Sequence, residues 1–455
     1  MRDELKFPEG FIWGTATAGH QLEGHNDKSD WWKFEQEGKI NDGTISGRSV
    51  DYWNRYEEDH AIMSGFGWNG FRLGIEWAKL EPEDGRFDRG AIEHYRKIFE
   101  SLKRNNLKIC LTLYHWVLPL WFAEQGGWEN PKAVDRFMKF AEVVVKEFGE
   151  YPELWVTVNE PTSPSVGGYL IGYFPPEKKS FPAYCLVMNK YLRVHAKCHE
   201  LIHNAAPRNA SGGPAMVSTA YAYQYMAPYG TPGFAGAVES LAAPIAAYLS
   251  YRAWDKSITT GRAQLPFGIE PIKELKDSYD YCGVNYYTRM AWRFDPANKE
   301  KIFDPYAIHE GIERNEMGWE IFPPGFHNIL REVWNTFHKP IYITENGVAD
   351  GDDKMRPTYT LEHLAQIHNA ISEGIDVAGY FHWSYIDNFE WREGFEKKLG
   401  LIACDYADPE LKRVPRKSAH MYSEIARGNG ITREIVEKYA PNAMEGVFGD
   451  KWRLR

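Results

Sequence analysis

Two short motifs make the most definite chemical proposal in this chain: Thr157-Val158-Asn159-Glu160-Pro161 and Ile343-Thr344-Glu345-Asn346-Gly347. Each closes an apolar run that reads as a buried strand, Leu154-Trp155-Val156-Thr157-Val158 and Pro340-Ile341-Tyr342-Ile343-Thr344. Two carboxylates delivered by two strand ends are the minimal equipment for cleaving a glycosidic bond. One donates a proton to the leaving oxygen; the other attacks or stabilises the anomeric carbon. Each motif alone has a plainer reading. Glu160 before Pro161 suits a helix start, where its charge meets the helix dipole. Glu345 before Asn346-Gly347 suits a simple turn. Two acids at equivalent strand ends favour the chemistry.

Other polar residues fit the same scheme. Arg72 lies in the apolar run Gly70-Phe71-Arg72-Leu73-Gly74-Ile75. A buried arginine needs a carboxylate or several carbonyls; facing Glu345, it would hold that acid ionised, with the Tyr287 phenol assisting. Gln21, His115, Asn159, Asn285 and Glu390 carry donors or acceptors that pair with sugar hydroxyls. Trp383 and Trp391 flank Glu390, and a tryptophan face suits the apolar side of a sugar ring.

The elements that must position these groups alternate along the chain. Strand patterns cover Phe11 to Ala18, Gly70 to Ile75, Lys108 to His115, Leu154 to Glu160, Ala215 to Ala220, Tyr281 to Tyr287, Pro340 to Glu345 and Val377 to Trp383. Several are continuous apolar runs, as expected of parallel strands covered on both faces. Helical spacing recurs between them. Ile92, Tyr95, Phe99 and Leu102 form one apolar stripe. Val134, Phe137, Ala141, Val144 and Phe148 follow Asn130 and Pro131, which the pattern casts as N-cap and first-turn residue. Leu361, Leu364, His368 and Ile371 precede Gly374, placed to end that helix. Eight such units fill residues 1–455 with no Pro-, Gly- or Ser-rich tether. The expected fold is α/β, a single (β/α)8 TIM barrel in one domain, with elongated strand-to-helix loops and its site at the strand C-terminal ends.

Bulk composition narrows the partners. The 455 residues are 43% hydrophobic, ample for a large core, and the net charge of −10 speaks against nucleic acid or an anionic membrane. The five cysteines are scattered and odd in number, and the start of the chain lacks a secretory pattern. A reduced, cytoplasmic protein is the simpler expectation. No membrane span is expected from the sequence.

One motif points elsewhere. His199-Glu200-Leu201-Ile202-His203 matches the zinc-protease pattern, with His195 one turn earlier and Cys198 adjacent. That chemistry needs a third ligand and an open cleft. On the outer helix after the Glu160 strand, the match reads as coincidence, and no metal ligand is expected. A G-x-x-x-x-G-K-[ST] phosphate-binding loop and a C-x-x-C pair are absent from the sequence.

From end to end the chain resembles the glycoside hydrolase family 1 β-glycosidases. The resemblance rests on Phe11-Ile12-Trp13-Gly14-Thr15-Ala16-Thr17-Ala18 with Gln21 and Glu23-Gly24, Tyr114-His115-Trp116, Thr157 to Pro161, Asn285-Tyr286-Tyr287, Ile343 to Gly347 and Trp383 to Trp391, in that order. It implies a β-glucosidase-like, exo-acting hydrolase that retains anomeric configuration. Its partner is a small β-glycoside or short oligosaccharide, and it needs no cofactor. By carry-over Glu160 is the acid/base and Glu345 the nucleophile, supported by Arg72, Asn285 and Tyr287. Asn159 would touch the sugar 2-hydroxyl. Gln21, His115, Trp116, Glu390 and Trp391 would complete the sugar site, with Trp383 beneath the ring and Trp319 as the leaving-group platform. Members acting on 6-phosphosugars carry a Ser where Glu390 stands, and Glu390 would repel a phosphate. The choice among gluco, galacto and fuco sugars, transglycosylation and assembly into a homo-oligomer are left open by the sequence.

Overall fold

The computed structural model describes residues 3–299 and 301–452. Eight strands close into a parallel barrel: β1 (Ile12–Ala16), β2 (Gly70–Gly74), β3 (Lys108–Thr112), β4 (Pro152–Asn159), β5 (Val217–Ala222), β6 (Cys282–Asn285), β7 (Ile341–Asn346) and β8 (Val377–Trp383). Each pairs with its neighbours in sequence, and β8 returns to β1 through Gly379–Ile12 and Trp383–Ala16. Every expected strand is present, with ends shifted by a few residues.

Eight principal helices surround the barrel: α1 (Tyr52–Gly65), α2 (Arg89–Arg104), α3 (Ala133–Phe148), α4 (Phe181–Ala205), α5 (Ala253–Thr260), α6 (Pro323–Phe337), α7 (Arg356–Ser372) and α8 (Lys417–Gly428). Their origins are local. Asp88 caps α2 by accepting the Ala91 amide, and Ile92, Tyr95, Phe99 and Leu102 are buried on one stripe. Gly374 follows α7 at φ +89°, the left-handed turn expected of it. The start of α3 differs from expectation. Asn130 Oδ1 accepts the Lys132 amide at 2.9 Å in a turn before the helix, which begins at Ala133. An asparagine can close its own turn two residues on, and here that alternative wins.

Strand residues alternate between two apolar layers. Trp13, Leu73, Leu111, Trp155 and Val284 face outward against the helices. Ile12, Cys110, Leu154, Val156 and Phe381 fill the lumen. Phe381 plugs it closely: a Cβ on Gly14 would stand 2.5 Å from the Phe381 ring, and one on Gly70 2.6 Å from Ile12 Cγ2. Above this apolar floor the lumen turns polar, with Arg72, Thr112, Asn159, Asn285 and Glu345 all buried.

The alternation breaks at two places that matter. The β4–β5 register shifts between Val156 and Asn159, and the β6–β7 register between Ile343 and Glu345. An extra residue in a strand reverses which face the following side chain takes. Much of the remaining chain lies in loops at the strand C-terminal ends. There Tyr225–Pro228, Arg289–Phe294 and Phe303–Asp304 form a small separate sheet.

Candidate active site

A cavity of about 460 Å³ opens at the C-terminal ends of the strands. Glu160, Glu345, Asn285, Tyr287, His115, Trp116, Trp319, Trp383, Glu390 and Trp391 all line it. Arg72, Asn159 and Gln21 are buried directly behind. Residues from distant parts of the sequence thus share one pocket.

Arg72 is the hub of its floor. Its Nη1 donates to Glu345 Oε1 at 2.6 Å and to the Thr344 carbonyl at 3.2 Å. Its Nη2 donates to Asn159 Oδ1 at 2.6 Å, and its Nε to Thr112 Oγ1 at 3.1 Å. All three guanidinium nitrogens are thereby engaged, which fixes one orientation. Tyr287 donates its phenol to Glu345 Oε2 at 2.7 Å, so both oxygens of that carboxylate are held.

Glu160 is held differently. Its backbone is left-handed at φ +43°, and its amide donates to the Ala220 carbonyl. A non-glycine residue in that region costs energy and is tolerated where surrounding structure enforces it. Asn285 Nδ2 donates to Glu160 Oε1 at 2.8 Å, and Ser163 Oγ to Oε2 at 2.8 Å. Asn285, expected to support Glu345, bonds that carboxyl and also reaches Glu160. Thr344 Oγ1 donates to Asn285 Oδ1 at 2.6 Å. This amide couples the two acids.

The electrostatics separate the acids. Burial pushes the Glu160 carboxyl up to about 7, and the charge of Glu345 adds to this. Burial also raises Glu345, but Arg72 and Tyr287 oppose it. Among the described residues no guanidinium bonds Glu160. Arg72 and Tyr287 thus favour the charged form of Glu345, whereas the donors that meet Glu160 are neutral. Glu390 is pushed up to about 8 by burial and by the Glu345 charge. Burial and Arg72 hold His115 well below the ordinary imidazole value, so it is neutral.

The residues expected to face a sugar are linked by hydrogen bonds. Asn159 Nδ2 lies 2.9 Å from His115 Nε2. Gln21 Nε2 donates to the Phe389 carbonyl at 2.8 Å, to Asn388 Oδ1 at 3.1 Å and to Glu390 Oε2 at 3.2 Å. Gln21 Oε1 and His115 Nδ1 are buried without a partner. A buried polar atom left unpaired is costly unless something else satisfies it. Trp383 and Trp391 each lie 5.9 Å from the His115 ring. Trp116 spends its indole N–H on the Asn159 carbonyl at 3.1 Å and packs on Trp391 at 4.7 Å, so only its ring borders the cavity. Trp319 stands at the other end, 6.0 Å from the Tyr287 ring.

Several contributors were not singled out from sequence. Ser163, three residues beyond Glu160, had a spacing signal: side chains at i and i+3 meet on a helical turn. Thr112 and Thr344 gave none, being ordinary strand residues. Tyr173, Phe174, Gln224, Tyr306 and Met317 join the cavity from loops.

A model described as glycosyl hydrolase family 1 matches residues 3–431. The chain is similar to beta-glucosidase A of Thermotoga maritima, 30% identical over 457 residues covering 94% of this chain and 99% of that one. It is also similar to a beta-galactosidase of Saccharolobus solfataricus, 32% identical over 499 residues, covering 94% and 96%. Among solved structures, the beta-glycosidase from Pyrococcus horikoshii superposes with a TM-score of 0.86 at 34% identity, covering 96% of this chain and 98% of that one. The beta-glucosidase from Thermotoga maritima in complex with glucoimidazole gives 0.85 at 29% identity, covering 94% and 100%.

Proposed function

The chain belongs to glycosyl hydrolase family 1, and from that premise we propose that Glu345 and Glu160 carry out its β-glycosidase reaction as nucleophile and acid/base. The substrate is a β-glucoside-like glycoside whose non-reducing terminal sugar enters the cavity. Glu345 attacks the anomeric carbon while Glu160 passes its proton to the departing oxygen. The carbon–oxygen bond to the aglycone breaks and an ester to Glu345 forms. Esterification removes the Glu345 charge, which lowers the proton affinity of Glu160 and makes it the base for the incoming water. The anomeric configuration is retained because two displacements occur.

The observation that carries this reading is the unequal support of the two acids. Arg72 at 2.6 Å and Tyr287 at 2.7 Å stabilise a charge on Glu345, whereas Glu160 is buried with neutral donors and keeps its proton to about pH 7. The unpaired Gln21 Oε1 and His115 Nδ1 fit hydroxyl recognition, and Trp383 supplies an aromatic face. Five free thiols, four of them buried, support a reducing, cytoplasmic setting.

The test is direct. Glu345→Gln is expected to abolish turnover of an aryl β-glucoside. Azide is expected to restore part of the activity of Glu160→Ala by replacing the water step, giving a glycosyl azide of retained configuration. Unchanged turnover in Glu345→Gln, or a first-formed sugar of inverted configuration, would overturn the assignment.

A further inference from the structure

The helix α4 carries His199 and His203 one turn apart, on the side of the barrel away from the cavity mouth. Their rings lie 4.4 Å apart. The chain entering β6 brings Asp280 to the same point. Asp280 Oδ2 lies 2.8 Å from His203 Nε2 and 3.5 Å from His199 Nε2. One donor atom from each residue falls within 4.8 Å of the others. His199 Nε2 is buried without a hydrogen-bond partner. All three side chains stay partly accessible, at 20%, 33% and 23%.

We propose that His199, His203 and Asp280 form a binding site for a zinc-class divalent cation, completed by solvent. Two imidazoles and one carboxylate are the donors such ions take, at about 2.0–2.2 Å. Donors already this close need only side-chain rotation to meet one ion. The ion would replace the proton shared by His203 and Asp280 and would satisfy His199 Nε2. The zinc-protease pattern in the sequence is therefore two-thirds of a ligand set; the third member sits 77 residues beyond His203.

The other residues of that pattern take no part. His195 bonds Thr157 Oγ1 at 2.8 Å and the Ser278 carbonyl at 3.1 Å, so both ring nitrogens are used. Cys198 is buried against Met138. Glu200, the general base of such proteases, is exposed. The site is a clamp and not a second catalytic centre. Asp280 also accepts the Val217 amide at 2.9 Å, so one ion would tie α4 to the N-terminal ends of β5 and β6.

The experiment uses the whole protein stripped with a chelating resin. Titration with cobalt chloride, followed by visible absorption, and with zinc chloride, followed by calorimetry, is expected to saturate at one equivalent. Zinc at about 100 times its Kd is expected to raise Tm by about 2 °C or more. Aryl β-glucoside turnover stays within twofold. His199→Gln and His203→Gln are each expected to weaken binding by at least about 10-fold, the loss seen even for outer partners of a metal site. Absence of saturable binding, or unchanged titration in the double variant, would overturn the proposal. Should a variant not fold, histidine side-chain NMR of the unaltered protein decides. Two of the 15 histidines must shift with zinc; no shift, or shifts elsewhere, would sink it.

Discussion

Arg72 and Glu345 meet at 2.6 Å in the closed end of the cavity, with side chains 0% and 5% exposed. The pair sits under the point where the reaction is proposed to develop charge. The guanidinium also fixes Asn159, and Asn159 reaches His115. One side chain therefore ties Glu345 to the wall that carries His115.

Arg72→Met leaves Glu345, Asn159 and the Thr344 carbonyl without their donor. Removing one partner of a buried pair costs about 3–5 kcal/mol. Urea unfolding at pH 8 is expected to show a loss in that range, shrinking as pH falls, because an unpaired buried carboxyl is relieved by taking up a proton. Turnover falls by about 100-fold or more, since a preorganised charge is lost. Arg72→Lys is not expected to restore it, because an ammonium lacks the planar fork that spans several acceptors.

The buried Glu160 carboxyl makes stability depend on pH. It titrates near 7 when folded, against an ordinary value of 4.5. Between those values the folded state binds more protons than the unfolded state, so stability falls as pH rises through the window. Glu160→Gln keeps the shape without the charge. It is expected to be more stable than the parent at pH 8, by up to about 3 kcal/mol. The two proteins converge at pH 4, where the parent is protonated in both states. Chemical denaturation at the two pH values checks this.

The same titration shapes activity. For the parent, kcat/KM on an aryl β-glucoside is expected to decline above about pH 7 as Glu160 loses its proton. Tyr287→Phe acts on the other limb. Loss of a bond to a charged group is worth about 1.5–3 kcal/mol, so the acid limb moves to higher pH and kcat falls by about 10- to 100-fold. A pH profile unmoved on the acid side would refute the role given to Tyr287.

Gln21 Oε1 and His115 Nδ1 are buried and unpaired. A site built around such atoms discriminates against a sugar lacking the matching hydroxyl. Monodeoxy aryl β-glycosides are expected to reveal at least one position with a large penalty in the parent. In Gln21→Ala that penalty shrinks by about 10-fold, the worth of one net hydrogen bond. Equal penalties in both proteins would remove Gln21 from the sugar site.

The barrel floor makes a purely structural prediction. Gly14→Ala places a methyl 2.5 Å from the Phe381 ring. Overpacking of this kind costs about 1–3 kcal/mol. Phe381→Leu in the same chain is expected to recover part of that loss, with turnover per folded molecule little changed in both.

Much of this protein is written locally. Apolar runs at regular intervals identify all eight barrel strands, because strands covered on both faces need continuous hydrophobicity. The acids, Arg72 and Tyr287 stand out because charged or polar groups at the ends of such runs must be satisfied. Where a side chain can serve two ends, local reading falters. Asn130 closes its own turn instead of capping α3, and Asn285 serves Glu160 as well as Glu345. The His199–His203 pair looks idle until Asp280 arrives from another strand.

The deepest division concerns which way the acids point. Strand periodicity alone sends Asn159 to the face opposite Val156, and puts Glu345 on the face of Ile343. Val156 lies in the lumen and Ile343 against the helices, so strict alternation would expel both site residues from the pocket. The register shifts in β4–β5 and β6–β7 reverse them. Residue identity determined that the chain carries two carboxylates at strand ends. Only closure of the barrel, with a register shift within each motif, turned Asn159 and Glu345 inward onto Arg72, because a register shift is set by neighbouring strands and not by the strand itself.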